Sequence, residues 1–445
     1  MANRQKIYWC IGAFLLSLTA SGGASAATYY VATSGSDSNP GTIDKPWKNP
    51  QKCVDAASPL RAGDVCVVGD GTYTPSTEVG RVLVIKSSSP QGTAGNPITI
   101  RAANQYGATL EAPDTWAGVN CNITACPFAG IYISGVRYYV IEGFQFTRPG
   151  SFYADLAASA GITMFSASDI IIRKNHFHDI GRNVCNHGLK GQSGVFAGQS
   201  RNLLFENNIF NKIGRLRIGE NGCTENMWQH DHGIYLDESA NTTIRNNIFF
   251  DVNRGVPINI KAYKGVTSGL KILNNTISGK SPTGLPNGQI AITKVANDVQ
   301  IKNNIFHDPP QGYVFWWYIN SVITGLVIEN NLSNSANTTL INPYLQPSSG
   351  ISYQNNIINT DPKFVNAAAG DFGLQAGSPA LDKGVTLAQV PFDFTGKARP
   401  EGAAYDIGAF EGAGSKKDVL PGVGAGIPST PVYVSPTGEI CPSGY

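Results

Sequence analysis

Between residues 170 and 358 the chain returns repeatedly to one short pattern, apolar-x-Asn-Asn-apolar. It appears as FENNIF ending at Phe210, IRNNIF at Phe249, LNNTI at Ile277, IKNNIF at Phe306, IENNL at Leu332 and YQNNII at Ile358, with IRKNHF ending at Phe177 as a degenerate first copy. The second residue of each pair, Asn175, Asn208, Asn247, Asn275, Asn304, Asn331 and Asn356, is separated from the next by 33, 39, 28, 29, 27 and 25 residues. Beside these pairs apolar residues fall at alternate positions, as in Thr242-Thr243-Ile244-Arg245 and Val299-Gln300-Ile301-Lys302, which is the period of a strand with one face on a core. Short strands that repeat at this interval without helical patterns between them predict an all-β solenoid, one coil per repeat, with loops of variable length absorbing the differences.

The Asn pairs read as structural. Asn tolerates the left-handed backbone of a sharp corner, and its amide can bond to its own coil or to an equivalent Asn stacked about 4.8 Å away. Aligning coils by these pairs puts Gly161, Gly194 and Gly233 at one offset, so the strands that follow them should stack. Four residues beyond Gly233 is Asp237. Allowing a longer turn in the next coil and a one-residue slip in the one after, the equivalent positions are Lys261 and Lys294, predicting one column of Asp237, Lys261 and Lys294 with His230, His232, Tyr235 and Asn259 beside it. Two coils beyond Lys261, the aromatic run Phe315-Trp316-Trp317-Tyr318 offers a surface for stacking sugar rings.

The composition agrees with stacked coils. Only 14% of the 445 residues are charged and 50 are Gly, which suits turns better than helices. Residues 1–26 read as an export signal, with Arg4 and Lys6 ahead of the apolar run Ile7 to Leu18 and an Ala24-Ser25-Ala26 cleavage site. Removing it leaves 31 basic and 31 acidic residues, a neutral balance that points to neither nucleic acid nor an anionic membrane as partner. A secreted or periplasmic, monomeric protein is expected. Of eight Cys, Cys10 lies in the signal, and the remaining seven suggest local disulfides Cys53 to Cys66, Cys121 to Cys126 and Cys185 to Cys223, with Cys441 left over. No C-x-x-C or H-x-x-x-H spacing favours zinc.

The segment 27–75, with a short strand, a helix expected around Pro50 to Ala57 and the run Ala62-Gly-Asp-Val-Cys-Val-Val-Gly-Asp-Gly-Thr-Tyr73, resembles the N-terminal cap and first coil of secreted pectate-lyase-like right-handed parallel β-helices. Repeats then occupy 76–360. Asp361-Pro-Lys-Phe, Gly377-Ser-Pro-Ala-Leu-Asp and Tyr405-Asp-Ile-Gly-Ala-Phe-Glu411 resemble the closing segment of many bacterial secreted β-helix proteins, and 412–445 is a Gly/Pro/Ser-rich tail. By cap, repeat and closing segment the chain resembles the superfamily that includes pectate lyases, the alginate lyase and chondroitinase B group, and mannuronan epimerases. The resemblance implies proton abstraction from a uronate by Lys, Arg or His on one outer face, often with Ca²⁺, and hence an acidic polysaccharide as partner.

Because the inside of a β-helix is filled with side chains, a glycan must lie on an outer face, and the longest loops mark where. The longest spacings flank Asn208 and contain His187, Lys190 and the stretch from Arg215 to His232; five of six His fall between His176 and His232. For β-elimination a base removes the proton beside a carboxylate while cations neutralise the developing charge. Lys261 or Lys294 can serve either purpose, His230, His232 or Tyr235 can move the proton, and Arg254 can grip a carboxylate. Asp237, Asn259, Lys190, His187, Trp316 and Trp317 are candidate substrate contacts. No cofactor is required, though Glu220, Glu225, Asp231, Asp237 and Glu238 form a carboxylate-rich region suited to Ca²⁺. His176, His178 and His307, next to Asn corners, read as structural. Three alternatives remain: glycoside hydrolysis, needing two carboxylates about 5–10 Å apart, for which Asp231 with Asp237 or Glu238 is available; epimerisation, which shares the first proton abstraction; and a non-catalytic glycan-binding solenoid.

Overall fold

The structure, a computed structural model, describes residues 25–75, 80–112, 128–148, 159–185, 191–216, 218–225, 230–252, 255–262, 264–279, 288–309, 314–317, 321–337, 340–341 and 350–416, with backbone only for Phe128, Ser159, Trp316 and Trp317. The chain winds as a right-handed parallel β-helix. A typical coil runs through three strands, Gln192–Gly198, Arg201–Glu206 and Ile209–Ile213, each belonging to a different sheet. Stacking the coils produces three parallel sheets. Sheet 1 extends from Arg81–Ile85 to Phe315–Trp317, sheet 2 from Thr28–Val31 to Ile351–Gln354, and sheet 3 from Gly71–Tyr73 to Leu332–Ser333.

The Asn pairs occupy the tight corner between sheets 2 and 3, and their two residues do different work. The first of each pair, Asn207, Asn246, Asn274, Asn303, Asn330 and Asn355, takes the left-handed conformation, with φ from 51° to 57°. The second is buried and makes a ladder: the Nδ2 of Asn175, Asn208, Asn247, Asn275, Asn304 and Asn331 each donates to Oδ1 of the next at 2.9–3.2 Å. Each Oδ1 also accepts the backbone N–H of the preceding Asn. The ladder satisfies corner backbone groups that burial would otherwise leave unpaired.

Inside, Phe146, Phe177, Phe210 and Phe249 stack with centroids 4.6–4.7 Å apart and planes within 8°. The predicted Gly column exists to admit them. A Cβ on Gly161 would stand 2.6 Å from the Phe177 ring and 2.9 Å from the Gly194 carbonyl, and one on Gly194 2.6 Å from Phe210 and 2.7 Å from the Gly233 carbonyl. Both distances are below any tolerable contact, so the coils can close around the rings only where the side chain is hydrogen.

Residues 361–416 fold back over the outer face of sheet 3. Their hairpin Phe364–Asn366 and Asp371–Leu374 is antiparallel, and Phe364, Phe372, Ile407 and Phe410 bury against Ile209, Ile248, Ile305 and Leu332 of the coils. The left-handed Asn residues clamp this segment: Asn207 donates to the Phe394 carbonyl at 2.8 Å, Asn246 to Phe392 at 2.7 Å, Asn274 to Asp406 at 3.0 Å and Asn303 to Val385 at 2.8 Å. Arg399 and Glu411 form a fully buried ion pair within it.

At the other end, the helix expected around Pro50 to Ala57 is only a 3-10 turn, Pro50–Cys53. Val54 already leaves helical geometry, Ser58 donates to the Cys53 carbonyl, and the Cys53–Cys66 disulfide holds the turn against a strand. Gln51 does the sealing. Its side chain pairs with both N–H and C=O of Val84 in the first described strand of sheet 1. Cys185–Cys223 is also bonded; Cys121, Cys126, Cys441 and residues 1–24 of the export signal expected over 1–26 lie outside the described residues.

Candidate active site on the outer face of sheet 1

Strand His232–Asp237 alternates Ile234 and Leu236 into the core with Tyr235 and Asp237 outward. The next strand, Ile258–Lys261, pairs Tyr235 with Asn259 and Asp237 with Lys261, and the one after it pairs Asn259 with Ala291 and Lys261 with Thr293. Asp237 and Lys261 therefore share a column as expected. Lys294 does not: it follows the strand in a left-handed corner at φ 73° and is exposed. No slip occurs between these strands, so the position assigned to Lys294 belongs to Thr293.

His230 and His232 flank Asp231 at the entry to this strand and differ sharply. His232 is 3% exposed. Its Nδ1 lies 3.1 Å from the Val256 carbonyl oxygen and 3.4 Å from the Val256 nitrogen, so Nδ1–H donates to the carbonyl and Nε2 is left to accept from Asn259 Nδ2 at 3.1 Å. Burial lowers the His232 pKa to about 4, with His230 and Lys261 adding to the effect and the Val256 bond and Asp231 opposing it. His232 is thus neutral at pH 7 with both nitrogens occupied, a support for Asn259 rather than a proton carrier. His230 is exposed; partial desolvation, then Arg215 and Lys261, lower its pKa against the pull of Asp231. It is a neutral imidazole at the surface, beside a cation.

Tyr235 is held in its phenol form, since burial and then Asp237 raise its pKa. Its ring meets His232 edge-on at 5.2 Å. Beneath the loop, Asp231 and Arg215 are fully buried: Asp231 accepts from Gln192 N–H at 2.8 Å and from Arg215 N and Nε at 3.0 Å, while Gln192 accepts from buried Arg148 at 2.9 Å. Breaking such a pair would strand a buried charge, so the segment between His230 and His232 is anchored at Asp231.

Asp231 is therefore not a calcium ligand in this arrangement, and Glu238 Oε1 is taken by the backbone N–H groups of Lys264 and Gly265. Glu220 pairs with Arg182 at 2.9 Å. Among the described residues no group of three His, Cys, Asp or Glu converges on a metal position, so the five carboxylates expected to cluster are dispersed. Arg254, His187 and Lys190 lie outside the described residues, and Trp316 and Trp317 are placed by backbone only, as the sheet 1 strand paired with Ala291 and Ile292.

Further outward positions of sheet 1, missed in the sequence, are aromatic. Tyr132, Phe165 and Phe196 are half-buried, and their rings run in contact toward Tyr235, with centroids 6.3, 5.2 and 5.1 Å apart. The signal was present in FAGIYIS, SAGITMF and QSGVFAG, where an aromatic falls at the parity that points away from the core. On sheet 3, by contrast, His176 is buried and bonded to Asn211, His178 bonds Asp179 and Gln145, and His307 bonds Ser278, the structural placement expected.

A family model described as a right handed beta helix region matches residues 106–288. Similar solved structures include an alginate lyase from Paenibacillus sp. str. FPU-7 (17% identity, 75% of this chain and 97% of that one, TM-score 0.45) and the pectate lyase Pel9A (17%, 88% and 97%, 0.46). A GH136 lacto-N-biosidase from Eubacterium ramulus is also similar (11%, 75% and 68%, 0.40). No curated protein matches the sequence. The chain is a right-handed parallel β-helix protein, the fold expected from its repeats.

Proposed function

We propose that this is a secreted enzyme that cleaves a uronate-containing polysaccharide by β-elimination on the outer face of sheet 1. The observation that carries the reading is the meeting, on one polar face, of the Lys261 cation, the neutral surface imidazole of His230 and the protonated phenol of Tyr235. Lys261 would neutralise the uronate carboxylate, making the proton on the adjacent carbon acidic. His230 would take that proton, the electron pair would form the new carbon–carbon double bond, and the bond to the glycosidic oxygen would break. Tyr235, held as a phenol, would protonate the departing oxygen. Asn259, fixed by His232, and Asp237 line the same face as substrate contacts, with Arg254, His187, Lys190, Trp316 and Trp317 as further candidates from neighbouring segments.

Hydrolysis is less well supported, because Asp231 is committed to Arg215 and Glu238 to two backbone amides, and these are the carboxylates that a two-carboxylate mechanism would have to draw on. The two disulfides fit an oxidising compartment, and among the described residues no helix is long and apolar enough to cross a membrane. The mature protein incubated with uronate polymers, with and without Ca²⁺, should generate the ultraviolet absorbance of an unsaturated uronate. New reducing ends without that absorbance would transfer the reading to hydrolysis; neither signal, with the uronate stereochemistry inverted, would transfer it to epimerisation.

A further inference from the structure

We infer that the face carrying the proposed reaction centre also holds an uncharged aromatic strip that binds neutral sugar units, so that the substrate is a mixed glycan rather than a homopolymer of uronate. The inference rests on the reading of sheet 1 as the substrate face and deepens it. Tyr132, Phe165 and Phe196 lie on three successive coils and lead into Tyr235 on the fourth. At about 4.8 Å per coil the strip is about 14 Å long, enough for several sugar rings laid along the axis of the helix.

The strip is built rather than incidental. Phe165 pairs laterally with Gly198, and a Cβ there would stand 3.0 Å from the Phe165 ring and 3.2 Å from the Phe196 ring. The absence of a side chain at 198 is what lets Phe165 lean across the next coil to meet Phe196 at 5.2 Å. Thr163, the outward residue between Tyr132 and Phe196, is 3% exposed beneath these rings. Yet Tyr132, Phe165 and Phe196 stay half-buried rather than sealed in the core.

Charge is confined to the two ends of this face. Alongside Phe165 and Phe196 the described outward residues Ser134, Thr163 and Gly198 carry none, whereas the Arg81 guanidinium lies 3.9 Å over the Tyr132 ring at one end and Asp237 and Lys261 appear together just past Tyr235 at the other. A polymer with a carboxylate on every unit would have to lay charges on apolar rings, with desolvation uncompensated. A polymer in which a uronate at Lys261 is joined to uncharged pyranoses would place their C–H faces on the aromatic surface and its one carboxylate on the cation.

The test compares wild type with a Phe165→Leu/Phe196→Leu variant, which keeps apolar packing without rings, and with Gly198→Val, which displaces them. Affinity electrophoresis and turnover are measured on three probes: a homopolyuronate, a glycan alternating uronate with neutral sugar, and a neutral oligosaccharide. The wild type should favour the alternating glycan over the homopolyuronate, and the ratio should fall roughly tenfold in the double Leu variant, the loss of two ring contacts. Thermal unfolding confirms that the variants are folded. An unchanged ratio in both variants overturns the strip, as does equal or better binding of the homopolyuronate by the wild type. If the neutral and alternating glycans bind through the rings but nothing is eliminated, the strip stands and the lyase reading falls. If no glycan binds, the strip falls too.

Discussion

Sheets 1 and 3 are built by the same coils, yet their outer faces have opposite fates. On sheet 3 the outward column includes Ile209, Ile248, Ile305 and Leu332, and the chain spends residues 361–416 covering it. On sheet 1 the corresponding surface carries Tyr235, Asp237, Asn259 and Lys261 and keeps part of each exposed to solvent. Both faces contain a buried ion pair and a buried histidine. On sheet 3 these are Arg399 with Glu411, and His176; at the edge of sheet 1 they are Arg215 with Asp231, and His232. Outward aliphatic residues in a solenoid announce a cover, whereas outward titratable residues with buried support beneath them announce a place for chemistry.

Replacing Lys261 tests the sharper side of that contrast. Lys261→Ala should lower kcat/KM for the uronate substrate by about a thousandfold, since it removes the charge facing the developing carbanion, while the β-rich spectrum and Tm stay near wild type. Lys294→Ala, one position off the column and pointing from a corner, should stay within about twofold. Equal losses from both would erase the distinction between column and corner; no loss from Lys261 would remove the centre from this face.

Arg399→Ala attacks the covered face. It strands Glu411 in a fully buried site and cuts the bonds of Arg399 to Asn246, to the Gly408 carbonyl and to the Asp406 carbonyl, so unfolding in urea should show a loss of about 3–5 kcal/mol. The activity per folded molecule should not move. A loss of turnover without a loss of stability would mean that the closing segment reaches the chemistry after all.

Much of the architecture was legible because a solenoid writes its geometry as periodicity. The corner Asn residues, the Gly column and two disulfides follow from residue type at a fixed offset. What escaped depended on departures from the period. Lys294 was aligned by assuming a slip that the backbone does not make. The cap helix failed because the chain leaves helical geometry already at Val54, and composition over eight residues could not show that Gln51 would seal the coil instead. The left-handed Asn residues were read as corner formers only; their grip on residues more than 80 positions away has no local signature. The same is true of His232, whose candidacy as a proton carrier ended with the carbonyl of Val256 and the amide of Asn259, both supplied by the next coil.

The two buried histidines give the comparison its pH dependence. His232 has a folded pKa of about 4 and His176 of about 3, both below the ordinary value near 6.5. Between these limits the unfolded chain binds protons that the folded one refuses, so stability is fully present above about pH 6.5 and is lost as pH falls toward the folded values. The His232 share of that loss is roughly 3 kcal/mol. Urea unfolding at pH 7 and pH 4.5 should therefore show a steep acid loss, flattened by His232→Gln and separately by His176→Gln. A glycan held on sheet 1 binds the folded chain and raises its stability at both pH values, and it changes an acid slope only where it changes a folded pKa. Saturating uronate glycan, which brings carboxylates to the face beside His232, should therefore make the limb that His232→Gln removes shallower and leave the limb due to His176 where it was, whereas parallel curves for both would mean that the ligand has no particular claim on the face of sheet 1.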